Sequence, residues 1–260
     1  MKKRIIAFLC VVAVLGGIFL SGCEKKEAGT FVLGLDDSFP PMGFRDVEND
    51  EIVGFDIDVA KEVTKRLGLT LKLQPIDWSQ NINELNATTI DCIWNGFTIN
   101  EERAEKVLFS DPYLRNRQVI VVMADSDIVE LSDLAGKVVA VQAESSAVKA
   151  LDKNPELKAS IKELAEFKDN VTAMMDLEAG ISDAVLMDEI VAEYTIKEMN
   201  KPFVVLEEAL APEEYGIGFR KEDEELCKKV NDALHEMAED GTLAKISEDW
   251  FGTDITVIGK

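Results

Sequence analysis

The stretch IDCIWNGFTINEER, residues 90–103, carries the pattern that decides the fold of this chain. Its residues 91–94 form a short apolar run, which is typical of a strand buried on both faces of a parallel sheet. A loop begins at Asn95, and a helical turn over Glu101–Lys106 is entered through Asn100. In open α/β sheets, ligands bind in the crevice outside the carboxyl ends of the strands. The stretch therefore predicts such a sheet, with a ligand site in the loop 95–103.

Strands and helices alternate on both sides of this stretch, which predicts two parallel-sheet units. In each half an Asp opens a buried strand: Leu85 precedes Asp91 by the same number of residues as Leu177 precedes Asp183. This faint repeat favours two similar lobes. The predicted strands cover residues 30–35, 69–73, 91–94, 118–123, 137–142, 183–187, 203–206 and 215–219, and the predicted helices cover 57–67, 82–86, 101–106, 171–178, 189–199, 226–237 and 243–251.

Composition narrows the classes of function. The chain has 260 residues, of which 47% are hydrophobic, so it can bury a sizeable core in one large domain or two smaller ones. Lys and Arg number 28 against 50 Asp and Glu, and this net charge of −22 makes nucleic acid an unsuitable partner. His235 is the single histidine, and GxGxxG, GxxxxGK[ST], HExxH, CxxC and GxSxG motifs are all absent. We therefore expect no metal, no cofactor and no Ser-His or Cys-His catalysis.

The N-terminus has the features of an export signal. Three basic residues, 2–4, precede a charge-free apolar run over residues 5–20, which is short for a membrane span. The sequence Leu20-Ser21-Gly22-Cys23 follows and resembles the bacterial lipobox. We therefore predict a lipoprotein signal peptide at 1–22, lipid (palmitate among its acyl chains) on Cys23, and a lipid-anchored tether at 23–29. This places the protein on the outer face of the cytoplasmic membrane; a permanent N-terminal anchor helix is the alternative.

Two further cysteines remain in the body of the chain. Cys92 lies in the apolar run of the predicted strand, and Cys227 lies beside Leu226 and Val230 on a predicted helix. We expect both to be buried thiols. Two positions alone cannot establish a disulfide, so that alternative stays open.

The loops carry a family pattern in six ordered blocks. These blocks are DDSFPPMGF (36–44), IVGFDIDVAKEVTKRLG (52–68), IDWSQNINELNATTIDCIWNGFTINEERAEKVLFSDPYLRNRQVIVV (76–122), DLAGKVVAVQAESSAVKAL (133–151), DAVLMDEIVAEY (183–194), and YGIGFRKEDEEL (215–226) with DGTLAKISEDWFG (240–252). In them the chain resembles the extracellular solute-binding proteins of polar amino acid ABC importers. The resemblance covers essentially all of residues 30–252.

The resemblance implies an α/β fold of the two-lobed periplasmic-binding-protein type, in which each lobe is a mixed sheet flanked by helices and two hinge strands join the lobes. It places lobe I at 30–115 and 211–260 and lobe II at 116–210. It also implies a non-enzymatic, monomeric receptor that closes on a free amino acid and delivers it to an ABC permease and its ATPase.

An amino acid zwitterion needs a cation for its carboxylate and acceptors for its ammonium group. Arg103 matches the arginine of the family's Thr-x-x-Arg block, although Asn100 stands where that block often has Thr. Its planar guanidinium suits a carboxylate. Asp188 matches the family's acid for the ligand ammonium group. From the residues alone, Arg103 could instead pair with Glu101 or Glu102, and Asp188 could cap the following helix.

Smaller residues complete the predicted α-group site. Thr98 could accept from the ammonium group and donate its backbone N–H to the carboxylate, while Asn95 and Gly96 would offer backbone groups. Gly96 also permits close approach of a ligand. Ser145 and Ser146 open a helix after a strand, so their N–H groups point at the crevice; simple N-capping by Ser145 is the alternative.

The side-chain pocket is predicted from aromatic and acidic residues. Phe39 and Trp78 match family positions that sandwich the ligand side chain, whereas Trp94 is either a third wall or part of the core. Asp36 matches a position whose acid faces the cationic end of the ligand in lysine- and arginine-type binders, although a turn cluster would explain it too. Glu144 stands where the family usually has Gly and is a second candidate acid.

These residues make arginine the first expectation for the ligand, followed by lysine, ornithine or histidine. Glutamine and cystine stay open. Aspartate and glutamate are excluded because Arg103 is the only Lys or Arg in the predicted binding loops. Two other classes are weighed: a cyclohexadienyl-dehydratase-like enzyme with Glu144 as general acid, and a sensor domain, which is disfavoured because no span follows before Lys260.

Overall fold

The computed structural model describes residues 29–260. The predicted signal peptide, Cys23 and all of the tether before residue 29 lie outside the described residues. Within residues 29–260, no helix is long and apolar enough to cross a membrane. The same part of the chain has no group of three His, Cys, Asp or Glu residues that could hold a metal ion.

The strands and helices follow the alternation expected from the sequence. The strands are β1 (Thr30–Leu35), β2 (Ser38–Phe39), β3 (Gly43–Arg45), β4 (Ile52–Val53), β5 (Thr70–Pro75), β6 (Cys92–Thr98), β7 (Leu108–Phe109), β8 (Leu114–Met123), β9 (Val138–Gln142), β10 (Glu163–Phe167), β11 (Ala184–Asp188), β12 (Phe203–Val205) and β13 (Ala211–Phe219). The helices are α1 (Phe55–Arg66), α2 (Asn81–Asn86), α3 (Glu101–Lys106), α4 (Ser146–Asp152), α5 (Pro155–Ser160), α6 (Asn170–Glu178), α7 (Glu189–Met199), α8 (Glu224–Glu239) and α9 (Thr242–Phe251), with short 3₁₀ turns at Trp78–Gln80 and Leu131–Leu134.

One sheet runs through the described molecule in the order β10-β9-β11-β8-β13-β6-β1-β5. The pairs toward its two ends are parallel: β10 with β9, β9 with β11, β6 with β1, and β1 with β5. The central pairs, β11 with β8, β8 with β13 and β13 with β6, are antiparallel. Each half of the sheet is therefore mixed, as the resemblance implies. The α/β class is confirmed.

Strands β8 and β13 link the two halves of the sheet. They pair with each other from Gln118 opposite Ala211 to Leu114 opposite Tyr215. Beyond this shared segment, β8 continues beside β11 and β12, while β13 continues beside β6. These two strands are the candidates for the predicted hinge, and the lobe boundaries at 115/116 and 210/211 stay predictions.

Helices pack on the sheet through apolar stripes at helical spacing. In α1, Ile57 and Val63 are fully buried, and Gly68 follows the helix with a φ of +65°. Burial of each such side chain contributes about 1.5–3 kcal/mol. The C-terminal helix closes this core, since the ring of Phe251 lies 5.1 Å from that of Phe55. The terminal aromatic residues Trp250 and Phe251 therefore pack against the core.

The repeat of an Asp before a buried strand has a shared structural role. Asp91 Oδ2 accepts the backbone N–H of Val32 at 2.8 Å, and Asp183 Oδ2 accepts that of Val138 at 2.7 Å. In each half, the carboxylate thus bonds to the backbone at the neighbouring strand. The two halves repeat this connection, as the spacing of Leu85 and Leu177 suggests.

Cys92 and Cys227 are both buried, and no disulfide joins them. Burial raises the pKa of the Cys227 thiol to about 11. A thiol with so high a pKa is protonated at neutral pH and is a poor nucleophile.

Three features are absent from the sequence-based expectation. The short sheet β2-β3-β4 includes the turn at Pro40 and Pro41, where the sequence predicts no strand. Helix α5 and strand β10 lie at the outer end of the main sheet, where their residues are mostly exposed or half-buried. Because these elements bury few side chains, they lack a strong periodic signal.

Candidate functional site

The predicted binding loops meet along one edge of the sheet. Residues at or beyond the ends of β1, β6, β9 and β11 converge there, in agreement with the rule for open α/β sheets. The predicted site residues that are buried are Asp36, Phe39, Asn95, Gly96, Thr98, Arg103, Ser145, Ser146 and Asp188, and Trp78 is half-buried.

Two side-chain hydrogen bonds cross from one half of this site to the other. Gln142 Nε2 donates to Asp36 Oδ2 at 2.8 Å. Thr98 Oγ1 donates to Ser146 Oγ at 3.1 Å. The predicted lobes therefore touch directly in this structure, and the groove between them, which we call the cleft, is closed at these points.

Arg103 presents its guanidinium inside the cleft. Its Nη1 donates to the carbonyl oxygen of Thr98 at 2.9 Å, and its Cζ lies 4.3 Å from the centroid of the Phe97 ring. Burial lowers its pKa to about 10, and the negative charges of Glu213 and Asp188 oppose that shift. The guanidinium is therefore charged at neutral pH and held in a fixed orientation.

The alternative ion pair of Arg103 is not observed. Glu102 instead pairs with Lys106 at 2.7 Å and with Lys149 at 3.0 Å. The backbone N–H of Arg103 donates to the side chain of Asn100, which caps α3. Asn100, which stands where the family block often has Thr, thus caps α3 in this chain.

Asp188 lies opposite, at the end of β11. Its Oδ1 accepts hydrogen bonds from Asn116 Nδ2 at 2.7 Å, Gln118 Nε2 at 3.0 Å and the Tyr215 hydroxyl at 2.7 Å. Burial and the nearby Glu213 raise the pKa of Asp188 to about 7, while Tyr215 and Arg103 oppose the shift. Asp188 occupies the N-cap position of α7, as the alternative expects, but its side chain makes no capping bond to the helix.

The prediction of a loop from Asn95 is wrong, because β6 continues to Thr98. A buried carboxylate fixes this part of the strand at Gly96. Asp56 Oδ2 accepts the Gly96 backbone N–H at 2.8 Å and the Tyr113 hydroxyl at 2.9 Å. Burial raises the pKa of Asp56 to about 7. Gly96 itself has a φ of +57°, and a Cβ there would lie 2.8 Å from Phe39 Cε1. The backbone of β6 therefore requires glycine at position 96.

Several buried polar atoms at the cleft lack a partner within the described residues. They are Asn95 Nδ2, Gln118 Oε1 and Ser145 Oγ. Ser145 occupies the N-cap position of α4, but its hydroxyl makes no capping bond, so the capping alternative is wrong for its side chain. A buried donor or acceptor without a partner costs about 1–3 kcal/mol, and a polar ligand could remove that cost.

The aromatic residues divide into wall and core. Trp78 is half-buried, with its ring edge-on to Phe97 at 5.9 Å, and it lines a cavity at the mouth of the cleft. Phe39 is buried beside Gly96. Trp94 is fully buried, with its ring 6.4 Å from that of Tyr113, and belongs to the core. The reading of Trp94 as a third wall of the pocket is therefore wrong.

Asp36 and Asp37 point in different directions, as strand alternation predicts. Asp36 is 7% exposed, and burial raises its pKa to about 6. Its Oδ1 also accepts the N–H of Ser38 at 3.0 Å. Asp37 instead pairs with Arg45 at 2.6 Å near the surface. Asp36 is the acid that lies in the cleft.

The cavity at the mouth measures about 370 Å³. Glu144 lines it in an exposed position with a φ of +56°, a backbone conformation that explains why glycine is common there in the family. Lys106 and Lys149 line the same cavity. The argument that Arg103 alone could attract an acidic side chain is therefore wrong. It overlooked both lysines because they lie one helical turn beyond the predicted loops.

Four residues of the cleft were missed from the sequence. Asn116 and Gln118 come from β8, and Glu213 and Tyr215 come from β13. Asn116 Nδ2 donates to Glu213 Oε1 at 3.3 Å, and Gln118 Nε2 also donates to Glu213. Their signal is a polar residue at every second position of a strand, which places both on one face.

Comparisons with known proteins agree with this geometry. Residues 31–253 match the bacterial extracellular solute-binding proteins, family 3. The L-cystine-binding protein TcyJ of Escherichia coli is 34% identical over 90% of this chain and 86% of its own length. The arginine-binding extracellular protein ArtP of Bacillus subtilis is 32% identical over 96% of this chain and 98% of its own. A substrate-binding protein of a Streptococcus pneumoniae ABC uptake transporter, solved with bound histidine, shares 37% identity with a TM-score of 0.86 over 88% of this chain and 95% of its own.

Proposed function

Because the chain belongs to the bacterial extracellular solute-binding proteins of family 3, we propose that it is the amino acid receptor of an ABC importer. The observation that carries this proposal is that a buried guanidinium, Arg103, and a buried carboxylate, Asp188, face the same cleft. A free amino acid has the complementary charges on its carboxylate and ammonium groups. Charge-assisted hydrogen bonds of this kind are about twice as strong as neutral ones.

Closure of the lobes is the proposed mechanism. A ligand that contacts both lobes stabilises the closed state over the open one by its differential affinity. The permease with its ATPase then recognises the closed receptor. Thr98 and Ser146, which bond across the cleft, would both contact the ligand backbone.

Arginine is the first choice of ligand. Three carboxylates, Asp36, Asp188 and Glu213, lie at the cleft with one guanidinium, so the excess charge is negative and favours a cationic ligand. Burial raises the pKa of Asp36 to about 6, so this carboxylate is ionised above that pH. Trp78 and Phe39 offer aromatic faces for the side chain, where cation–π contacts contribute roughly 0.5–2 kcal/mol each.

Arginine should bind more tightly than citrulline, which keeps the shape and lacks the charge. Asp36→Asn should weaken arginine by a factor on the order of 10–100 and leave citrulline nearly unchanged, because only the charged ligand loses an ionic partner. Calorimetry at fixed salt measures both ligands. Asp37→Asn is the matched control, since Asp37 pairs with Arg45 outside the cleft. Equal affinities for arginine and citrulline would exclude the cationic pocket while leaving the amino acid receptor intact.

Glutamine- or cystine-type recognition is the second candidate. Lys106 and Lys149 at the mouth favour cystine, because they could hold the carboxylate at the far end of this longer ligand. Both cations are already paired with Glu102. The calorimetric series therefore includes glutamine and cystine beside arginine.

Binding without chemical change completes the proposal. The dehydratase alternative relied on Glu144 as an acid inside the cleft, and this residue lies exposed at its mouth. A receptor returns its ligand unaltered after denaturation, which chromatography of the released ligand tests. Recovery of a converted product would contradict the receptor function.

The proposed location is the outer face of the cytoplasmic membrane, through lipid on Cys23. The support is the sequence Leu20-Ser21-Gly22-Cys23 after a charge-free apolar run. Cys23→Ala should release the protein from the membrane or leave it unprocessed, which fractionation and mass spectrometry of the N-terminus would show. Lipid-bound mature protein in this variant would contradict the anchor.

A further inference from the structure

A second carboxylate lies beside Asp188 at the centre of the linking strands. Asn116 Nδ2 donates to both acids, at 2.7 Å to Asp188 and 3.3 Å to Glu213. Gln118 Nε2 also donates to both. Because each acid contacts the same nitrogen atom, their oxygens lie no more than about 6 Å apart, a distance at which one charge shifts the pKa of another.

The surroundings supply one full positive charge to this pair. Arg103 faces both acids from α3, and the Tyr215 hydroxyl faces Asp188 from β13. The other charged groups nearby are already paired: Arg117 with Glu189, and Arg115 with Glu214. Two carboxylates, the buried Asp188 and the half-buried Glu213, therefore share one guanidinium.

We propose that Glu213 is a positioning residue that sets the protonation of Asp188, so that the pair holds one proton in the ligand-free cleft and loses it when an amino acid binds. This inference rests on the proposed function, in which Asp188 receives the ligand ammonium group. The ammonium group keeps its three protons. The proton leaves the carboxyl group of the pair for solvent, and the resulting carboxylate faces the ammonium.

Electrostatics explain why the proton is held before binding and lost after it. Two like charges in a buried site disfavour full ionisation, which agrees with the pKa of Asp188 raised to about 7 by burial and by Glu213. The ligand brings a positive charge to within hydrogen-bond distance of Asp188. That charge favours the ionised form of Asp188 and lowers its pKa.

The consequence is a binding affinity that depends on pH. Below a pKa near 7, binding requires loss of a proton, so affinity should fall by up to about tenfold for each pH unit. Above that pH the pair is already ionised, and affinity should level off. A role of Glu213 in packing alone would change affinity equally at every pH.

Calorimetry of L-arginine binding tests this inference. Titration at pH 6.5 in two buffers of different ionisation enthalpy gives the number of protons released, and the same titrations at pH 8.5 give the reference. The wild type should release about half a proton or more at pH 6.5 beyond what Glu213→Gln releases. Asp36 contributes equally to both proteins, so the difference between them reports the pair.

Two further variants complete the design. Glu213→Asp should keep the proton release, because it keeps the charge. Glu214→Gln is the matched control, since Glu214 is the next residue of β13 and pairs with Arg115 at the surface. It should behave as the wild type.

The experiment distinguishes a failure of the role of Glu213 from a failure of the proposed receptor function. Equal proton release in the wild type and Glu213→Gln, with arginine bound by both, overturns the role of Glu213 and leaves the receptor function intact. If no amino acid binds to the wild type at pH 8.5, the receptor function fails, and this inference fails with it. Thermal unfolding confirms that each variant is folded before it is titrated.

Discussion

Arg103→Ala and Asp188→Ala are each expected to weaken binding of every amino acid, whatever its side chain. Loss of one partner from a buried charge pair costs on the order of 2–5 kcal/mol. That range corresponds to roughly 30-fold to more than 1,000-fold in the dissociation constant. The reason is that each residue is proposed to bind a group that all amino acids share, which is the carboxylate for Arg103 and the ammonium group for Asp188. Arg103 is held by Thr98 and by the face of Phe97, which fixes its guanidinium in the cleft.

Calorimetry with arginine, glutamine and cystine measures the effect. Arg115→Ala is the control for loss of an arginine, because the Arg115 side chain is 75% exposed and its partner Glu214 lies 3.8 Å away. Arg103→Lys should recover only part of the affinity, since an ammonium group cannot make the two parallel bonds of a guanidinium. An unchanged dissociation constant in Arg103→Ala or Asp188→Ala would remove that residue from the site.

Gly54→Ala is expected to have the largest effect on stability. Gly54 has a φ of +146°, and a Cβ there would lie 2.2 Å from the carbonyl oxygen of Met42 and 2.9 Å from Gly43 Cα. Both atoms belong to the backbone, so relief requires movement of the chain. Strain and overpacking together should cost about 3 kcal/mol or more.

The shift would also reach the ligand site. Met42 accepts the N–H of Asp56 at 3.0 Å, and Asp56 in turn holds the N–H of Gly96. Urea unfolding measures the loss of stability, with Gly136→Ala as the control. Gly136 has a φ of +75° but no atom within 4 Å of the added Cβ, so its cost should be about 1 kcal/mol. Equal losses in the two variants would show that the contact with Met42 does not matter.

Local patterns in the sequence were sufficient for most of the fold. Alternating apolar runs located the core strands, and Asn100 correctly marked the start of α3. The two Asp residues that precede β6 and β11 each accept a backbone N–H at the neighbouring strand, so they have the same role in both halves of the molecule. The limits came where strands extend beyond their apolar part, as in β8 and β13, whose first residues alternate between buried and exposed.

Candidate site residues were named from the sequence only where a loop carries a family block. The contact between Glu213 and Gln118 was not predicted, because it depends on the register between β8 and β13, which are far apart in the sequence. Trp94 was left undecided because an apolar run cannot show which face of a strand meets a cavity. The lysines at the mouth were missed because helices α3 and α4 carry them one turn past the loops.

The hydrogen bonds between Asp36 and Gln142 and between Thr98 and Ser146 join the two sides of the cleft directly. Each contributes about 0.5–1.5 kcal/mol net, so together they lower the free energy of the closed form relative to the open form. A few kcal/mol separates a shut form that is rare from one that is common. These four side chains would thereby influence how much of the protein population is closed, in addition to the effect of any ligand.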